Sequence, residues 1–214
     1  MSAVVVLAKA PVPGRVKTRL CPPFTHEEAA ALAEAALTDT LENVLRTEVV
    51  RSGEARPVLA LEGHAGSWLP PEWTVVAQRG SGLGERLAAA FDDVGGPALL
   101  VGMDTPQVTP GVIDAAWRAL RSPVDGVLGL ATDGGWWCMG LRRPVPGLFA
   151  DVPMSTPGTG AAQLARMRSL GLEVALLPEA VDVDDLASAE VVAAGAPGSR
   201  FAATFAALTV GMRG

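Results

Sequence analysis

Short apolar runs rich in β-branched residues alternate with helical segments along nearly the whole chain. The first run, residues 3–8, has no polar face, which is typical of a strand that is covered on both sides. Strands are predicted at residues 3–8, 55–61, 73–78, 97–102, 125–131 and 173–178. Because strands that alternate with helices build parallel sheets, the predicted fold class is an α/β sandwich around a mostly parallel central sheet.

Helices are predicted between these strands from their periodicity and start signals. The clearest start is Thr109 followed by Pro110, which suit an N-cap and a first helical residue. The predicted helices span residues 25–46, 82–94, 109–121, 158–171, 184–194 and about 199–210. No linker or repeat interrupts the 214 residues, so we expect a single domain over residues 1–214.

The composition excludes several classes of function. A net charge of −6 argues against general nucleic-acid binding, and no apolar run approaches the length of a membrane span, about 18 residues. The two cysteines, Cys21 and Cys138, have neither the spacing of a zinc site nor the number of a disulfide framework. We therefore expect a cytoplasmic protein that binds small molecules; its oligomeric state cannot be read from the sequence.

The first predicted strand leads into a stiff, basic loop, "AKAPVPGRVKTRL" (residues 8–20). Its single glycine, Gly14, does not directly precede Lys17 as a P-loop requires, and the third glycine of the later "GSGLGE" (residues 80–85) is not at the spacing of a dinucleotide fingerprint. Cations in a loop stiffened by prolines can nevertheless form a cradle for a di- or triphosphate. The loop therefore predicts a phosphate site, the alternative being a solvated basic turn.

Carboxylates follow two later strands and predict a divalent cation beside the phosphates. Asp104 lies in the turn "VGMDTP", while "VDVDDL" contains Asp182, Asp184 and Asp185. Some of these acids can cap helices instead, and the residues alone do not decide which of the last three would bind metal. A third turn, "TDGGWWCMGL", offers Asp133 as a hydrogen-bond acceptor, and one of its two tryptophans is expected to lie in the core.

The ordered motifs "AKAPVPGRVKTRL", "GLGERL", "GMDTP", "DGGWW" and "DVDDL" resemble a bacterial family of the nucleotide-diphospho-sugar transferase superfamily. This GT-A-type glycosyltransferase-like family is also called selenodomain-associated transferase 1, and it is distantly similar to the molybdenum-cofactor and 2-phospholactate guanylyltransferases. The resemblance runs from Ala8 to about Leu186. It implies a Rossmann-like GT-A fold, a nucleotide donor, and Mg²⁺ or Mn²⁺ at the pyrophosphate.

The resemblance also implies roles for individual residues. The nucleotide would be bound by Ala8, Lys9, Gly14, Arg15, Lys17, Arg19, Gly82 and Gly84. The metal would be bound by Asp104 and Asp184, to which the acidic turn itself adds Asp182 as a candidate, and Lys17 and Asp104 would be catalytic. From the residues alone, Asp133 is added as a catalytic candidate, and Gly134, Gly135 and Trp136 are expected on the acceptor side. Asp185 stands where the family has threonine, and Trp136 where it has tyrosine.

Two transferase functions remain open at this point. In the first, an acceptor hydroxyl attacks a nucleoside-diphosphate sugar and Asp133 takes the proton. In the second, a phosphorylated small molecule attacks a nucleoside triphosphate, with Lys17 and Arg15 at the α-phosphate. A third alternative is a non-catalytic nucleotide-binding module. The family favours glycosyl transfer, whereas the density of cations in the loop favours nucleotidyl transfer.

Overall fold

The computed structural model describes residues 1–210. The strands are β1 (Ala3–Lys9), β2 (Arg56–Glu62), β3 (Thr74–Ala77), β4 (Ala98–Gly102), β5 (Gly126–Ala131), β6 (Trp136–Leu141) and β7 (Val174–Ala180). The helices are α1 (His26–Leu45), α2 (Glu48–Arg51), α3 (Leu83–Val94), α4 (Pro110–Arg121), α5 (Thr159–Ser169), α6 (Leu186–Gly195) and α7 (Arg200–Val210). Every predicted strand and helix is present, and β6 and α2 are additions.

The described strands form one sheet in the order β3-β2-β1-β4-β6-β5-β7. Neighbours pair in parallel except where β6 runs antiparallel to both β4 and β5. This confirms the predicted α/β class with a mostly parallel sheet. The chain passes from β1 to β2 and β3, then returns to β4 on the other side of β1. In such sheets the ligand crevice lies at the carboxyl ends of the strands beside this switch point.

Side chains of the sheet alternate between two apolar layers. Val4 and Val6 of β1 pack with α1 and α4 on one face, and Val5 packs with α3 on the other. Helix α1 is buried on two sides. Leu37 faces the sheet, while Leu32 packs against α6 and α7, which explains why alanine and leucine surround the helix.

Local signals set two of the helix starts. Thr25 and Glu28 form a capping box at α1, in which each side chain bonds the other residue's backbone N–H. Thr109 is the N-cap residue of α4 and Pro110 is its first helical residue, as predicted. Within the described residues, the Thr109 side chain makes no capping hydrogen bond. Among residues 1–210, no helix combines the length and the apolar character needed to cross a bilayer.

Candidate active site

A cavity of about 820 Å³ opens at the carboxyl ends of β1 and β4. Its walls come from β1, the start of α3, the turns after β4 and β5, the 154–159 loop and the 182–184 segment. Ten of the residues predicted for the site line it: Ala8, Lys9, Arg19, Gly82, Asp104, Asp133, Gly135, Trp136, Asp182 and Asp184. The topology therefore brings the phosphate loop and the acidic turns together.

The other predicted residues lie outside the cavity lining. They are Gly14, Arg15, Lys17, Gly84 and Gly134. Gly14 and Arg15 are exposed in the β1–α1 loop, and Gly84 of α3 packs near Phe149 and Met154. The role of these residues in ligand binding stays a prediction.

Lys17 extends from the basic loop towards the acidic turns. Its backbone is left-handed (φ 48°), and its side chain is only 11% exposed. Nζ lies 2.7 Å from Asp104 Oδ2 and also donates to the carbonyl of Val183. Lys17 thus links the turn after β4 to the segment after β7.

The turn that carries Asp104 is held in place through its backbone. The Asp104 carbonyl accepts a hydrogen bond from Val183 N–H (2.9 Å), and Asn43 Nδ2 of α1 donates to the carbonyls of Pro106 (3.2 Å) and Val108 (3.1 Å). Asp104 Oδ1 is buried and has no hydrogen-bond partner within residues 1–210. A buried carboxylate oxygen without a partner is costly, so this atom is prepared for a ligand.

The three carboxylates of the second acidic turn, residues 182–185, have different partners. Asp185 caps α6, because its side chain accepts from Ser188 N–H, as the family's threonine could do at this position. Asp184 accepts a hydrogen bond from Arg19 Nη1 at 2.6 Å. Asp182 is the third carboxylate of this turn. Its pKa is raised to about 6, mainly by burial and then by the negative charge of Asp133, with a smaller contribution from Asp104.

These residues fit a divalent cation that is bound by protein carboxylates together with phosphate oxygens of the substrate. Within residues 1–210 no three acidic, histidine or cysteine side chains converge as a complete metal site. Mg²⁺, however, is usually bound by one or two carboxylates together with phosphate oxygens and water. Asp104 and Asp182 can supply these two carboxylates. Asp104 Oδ1 has no hydrogen-bond partner within residues 1–210, and a cation would offset the burial and the negative charges that raise the pKa of Asp182. Asp184, engaged by Arg19, is the less available of the three predicted ligands.

At the opposite end of the cavity, Arg86 and Gln78 line the wall, and the sequence did not predict either of them. Glu62 lies next to this wall and does not line the cavity. Glu62 pairs with Lys9 (3.6 Å) and with Arg86 of α3. Burial raises the pKa of Glu62, but Lys9 and Arg86 together bring it below its ordinary value. Gln78 donates through Nε2 to the carbonyls of Ala8 (2.8 Å) and Ala60 (2.9 Å). A usable signal existed, since Glu62 is the last residue of β2 and Gln78 directly follows β3, two parallel strands.

The turn between β5 and β6 forms the wall of the cavity that was predicted to face the acceptor. Gly134 has φ +90°, and an added Cβ would lie 1.9 Å from the carbonyl oxygen of Pro157, so only glycine lets the two loops meet. Asp133 Oδ1 accepts from Gly135 N–H at 2.7 Å. Trp137 is buried, with Nε1 bonded to the Pro178 carbonyl (3.0 Å), whereas Trp136 lines the cavity. This confirms that one tryptophan belongs to the core.

The structure is similar to several solved transferases. A protein from Desulfovibrio desulfuricans G20, named provisionally as a nucleotide-diphospho-sugar transferase, has 28% identity and a TM-score of 0.82, covering 97% of this chain and 93% of that one. A CMP:2-keto-3-deoxy-manno-octonic acid synthetase in complex with CTP has 13% identity and a TM-score of 0.54, covering 89% and 96%. At that identity the likeness shows a shared fold.

A third similar structure is 2-C-methyl-D-erythritol 4-phosphate cytidylyltransferase from Thermus thermophilus, with 14% identity, a TM-score of 0.53 and coverage of 92% and 99%. No curated protein matches the sequence. The fold is therefore that of the nucleotide-diphospho-sugar transferases and nucleotidyltransferases, as the motifs implied. Residues 36–156, from within α1 to the 154–159 loop, match a family model, and the chain belongs to that family, described as "Uncharacterized protein conserved in bacteria (DUF2064)".

Proposed function

We propose that this protein transfers a glycosyl group from a nucleoside-diphosphate sugar to the hydroxyl of a small acceptor, with a divalent cation at the diphosphate. The observation that carries the proposal is Asp104 Oδ1, a buried carboxylate oxygen that finds no hydrogen-bond partner among residues 1–210. Its carboxylate pairs with Lys17 and lines a cavity large enough for two substrates. The similarity at 28% identity to a provisionally named nucleotide-diphospho-sugar transferase supports the donor class.

The residues around Asp104 are suited to stabilising a departing diphosphate. Lys17 Nζ and the Arg19 guanidinium are both held at the acidic turns, so their positive charges are oriented before a ligand binds. Asp104 and Asp182 would hold the metal, which when bound supplies further positive charge to the leaving group. A phosphate would replace the carboxylates as partners of Lys17 and Arg19, which leaves Asp104 Oδ2 free for the cation.

Asp133 is the proposed base on the acceptor side. Its Oδ1 is fixed by the N–H of Gly135, so Oδ2 is the oxygen that can accept a proton. The acceptor oxygen attacks the anomeric carbon, and the bond from that carbon to the diphosphate oxygen breaks. The bonding electron pair leaves with the nucleoside diphosphate, while the acceptor proton passes to Asp133.

Nucleotidyl transfer is the second candidate. Three cations, Lys9, Arg19 and Arg86, line the cavity, more than a diphosphate requires. In this reaction an anionic phosphate of the second substrate would attack the α-phosphorus of a nucleoside triphosphate, and pyrophosphate would leave. Such a nucleophile needs no base, so Asp133 would be dispensable.

The test is calorimetric titration of a panel of nucleoside-diphosphate sugars with and without Mg²⁺. We expect Mg²⁺ to tighten binding to the wild type at least tenfold, and Asp104→Asn to abolish that gain. Asp185→Asn is the matched control, because asparagine caps a helix as well as aspartate does and Asp185 only caps α6. Equal Mg²⁺ dependence in the wild type and Asp104→Asn would contradict the proposal.

A further inference from the structure

The acceptor-side wall of the cavity exposes apolar surface at two side chains. Trp136 of β6 and Met154 of the 154–159 loop are both partly buried, and both pack against the core layer that contains Leu87 and Leu100. Their remaining surface lines the cavity, as do Leu87 and Leu100 themselves. An aromatic ring and a thioether favour an apolar or aromatic ligand, since both make specific contacts with ring faces and edges.

The polar groups beside this surface are few. Thr159 Oγ1 is already engaged, since it donates to the Pro153 carbonyl (2.7 Å) and accepts from Thr156 N–H (3.0 Å). Ser155 has a left-handed backbone (φ 58°), lines the cavity, and its hydroxyl makes no hydrogen bond within residues 1–210. The hydroxyl of Thr156, which also lines this wall, lies 3.4 Å from Thr159 Oγ1. Ser155 and Asp133 Oδ2 are therefore left as partners for a hydroxyl group of the acceptor.

The charge of this wall disfavours an anionic acceptor. No basic residue from the β5–β6 turn or the 154–159 loop lines the cavity, and Asp133 places a carboxylate there. Arg19 bonds Asp184 at 2.6 Å, and this hydrogen bond, with the negative charges of Asp184 and Asp133, holds the pKa of Arg19 above its ordinary value. In the proposed reaction the positive charge of Arg19 binds the diphosphate of the donor and not the acceptor. Lys9 and Arg86 are both paired with Glu62, the last residue of β2, which lies on the other side of β1 from β4.

We propose that the acceptor is an uncharged molecule with an aromatic or apolar body and one reactive hydroxyl. Its body lies against Trp136 and Met154, and its hydroxyl is held by Ser155 and Asp133. The proposal rests on the glycosyl-transfer function above, because only that reaction uses a neutral hydroxyl as nucleophile. It makes Trp136 and Ser155 determinants of acceptor specificity, and a phosphorylated or sugar acceptor is excluded.

The test measures binding to the protein saturated with nucleoside diphosphate and Mg²⁺, using 2-naphthol, glucose and glycerol 3-phosphate as probes. We expect 2-naphthol to bind most tightly, Trp136→Ala to weaken it about tenfold, and Ser155→Ala to weaken it several-fold. Trp136→Phe should restore most of the affinity, which separates loss of the ring from loss of folding. Leu176→Ala, which removes an exposed apolar side chain of β7 outside the cavity, should change nothing.

Three outcomes would overturn the proposal. They are tighter binding of glycerol 3-phosphate or glucose than of 2-naphthol, equal 2-naphthol affinity in Trp136→Ala and the wild type, and loss of nucleoside-diphosphate affinity as the main effect of Trp136→Ala. The last would place Trp136 in the donor site. If 2-naphthol binds as expected but receives no glycosyl group from any donor, the subsite is supported and the proposed function is contradicted.

Discussion

Replacing Asp182 with asparagine should make the protein more stable at neutral pH and not in acid. Burial and the nearby carboxylates raise the pKa of Asp182 from 3.8 to about 6. The folded protein keeps this proton up to about pH 6, whereas the unfolded chain releases it near 3.8. The free energy of unfolding contributed by Asp182 therefore falls as the pH rises from about 4 to 6, and it stays low above that range.

The structure sets the size of this effect. Raising the pKa of Asp182 from 3.8 to about 6 corresponds to about 3 kcal/mol in the free energy of unfolding. Because Asp182 is only partly buried, solvent screening reduces this to about 1–2 kcal/mol. Asparagine cannot ionise, so Asp182→Asn should exceed the wild type by that amount at pH 7.5 and differ little at pH 4. Urea unfolding without divalent cations, with Asp92→Asn on the exposed side of α3 as control, measures the difference. A stability change that is equal at both pH values, or a loss at pH 7.5, would refute the reasoning.

Further predictions concern the turns around the cavity. In a denaturation assay, Gly134→Ala should lower the free energy of unfolding by about 3 kcal/mol or more, because the added Cβ would overlap the Pro157 carbonyl. Gly171→Ala is the control: its φ is +77° but the space around it is open, so it should cost only about 1 kcal/mol. Asp185→Ala should cost about 1 kcal/mol through the lost α6 cap while calorimetric nucleotide affinity stays at the wild-type value; a matching loss of affinity would return Asp185 to the metal site. Lys17→Met should weaken nucleoside-diphosphate binding by about 1–3 kcal/mol with little change for the bare nucleoside, and equal losses for both ligands would remove Lys17 from the phosphate site.

Much of the fold could be predicted because its signals are local. Apolar runs and helix periodicity identified the strands and helices, and Thr25 set the start of α1 within one residue. The direction of β6 could not be read this way, since "WWCMGL" fits a strand in either direction. Its antiparallel course depends on the tight turn at Gly134, where φ is +90°, and on the packing of that turn against Pro157.

The positions of the acidic residues in the site could be predicted from the sequence, whereas those of the basic side chains could be predicted less well. Asp104 and Asp182 follow strands whose carboxyl ends must meet at one edge of the sheet. The inward course of Lys17 depends on a left-handed backbone at a non-glycine residue, which no sequence pattern announces. The pairing of Arg86 with Glu62 joins α3 to β2 and follows only from tertiary packing.

The central claim, glycosyl transfer supported by Asp104, is tested most directly by ³¹P NMR of the products. The wild type and Asp104→Asn receive a mixture of nucleoside-diphosphate sugars and nucleoside triphosphates with Mg²⁺, and a small-molecule cell extract supplies acceptors. We predict that nucleoside diphosphate accumulates from one sugar donor in the wild type and not in Asp104→Asn, with the triphosphates intact. Release of pyrophosphate from a triphosphate, dependent on Asp104, with the sugar donors unchanged, would contradict glycosyl transfer and establish the nucleotidyl reaction.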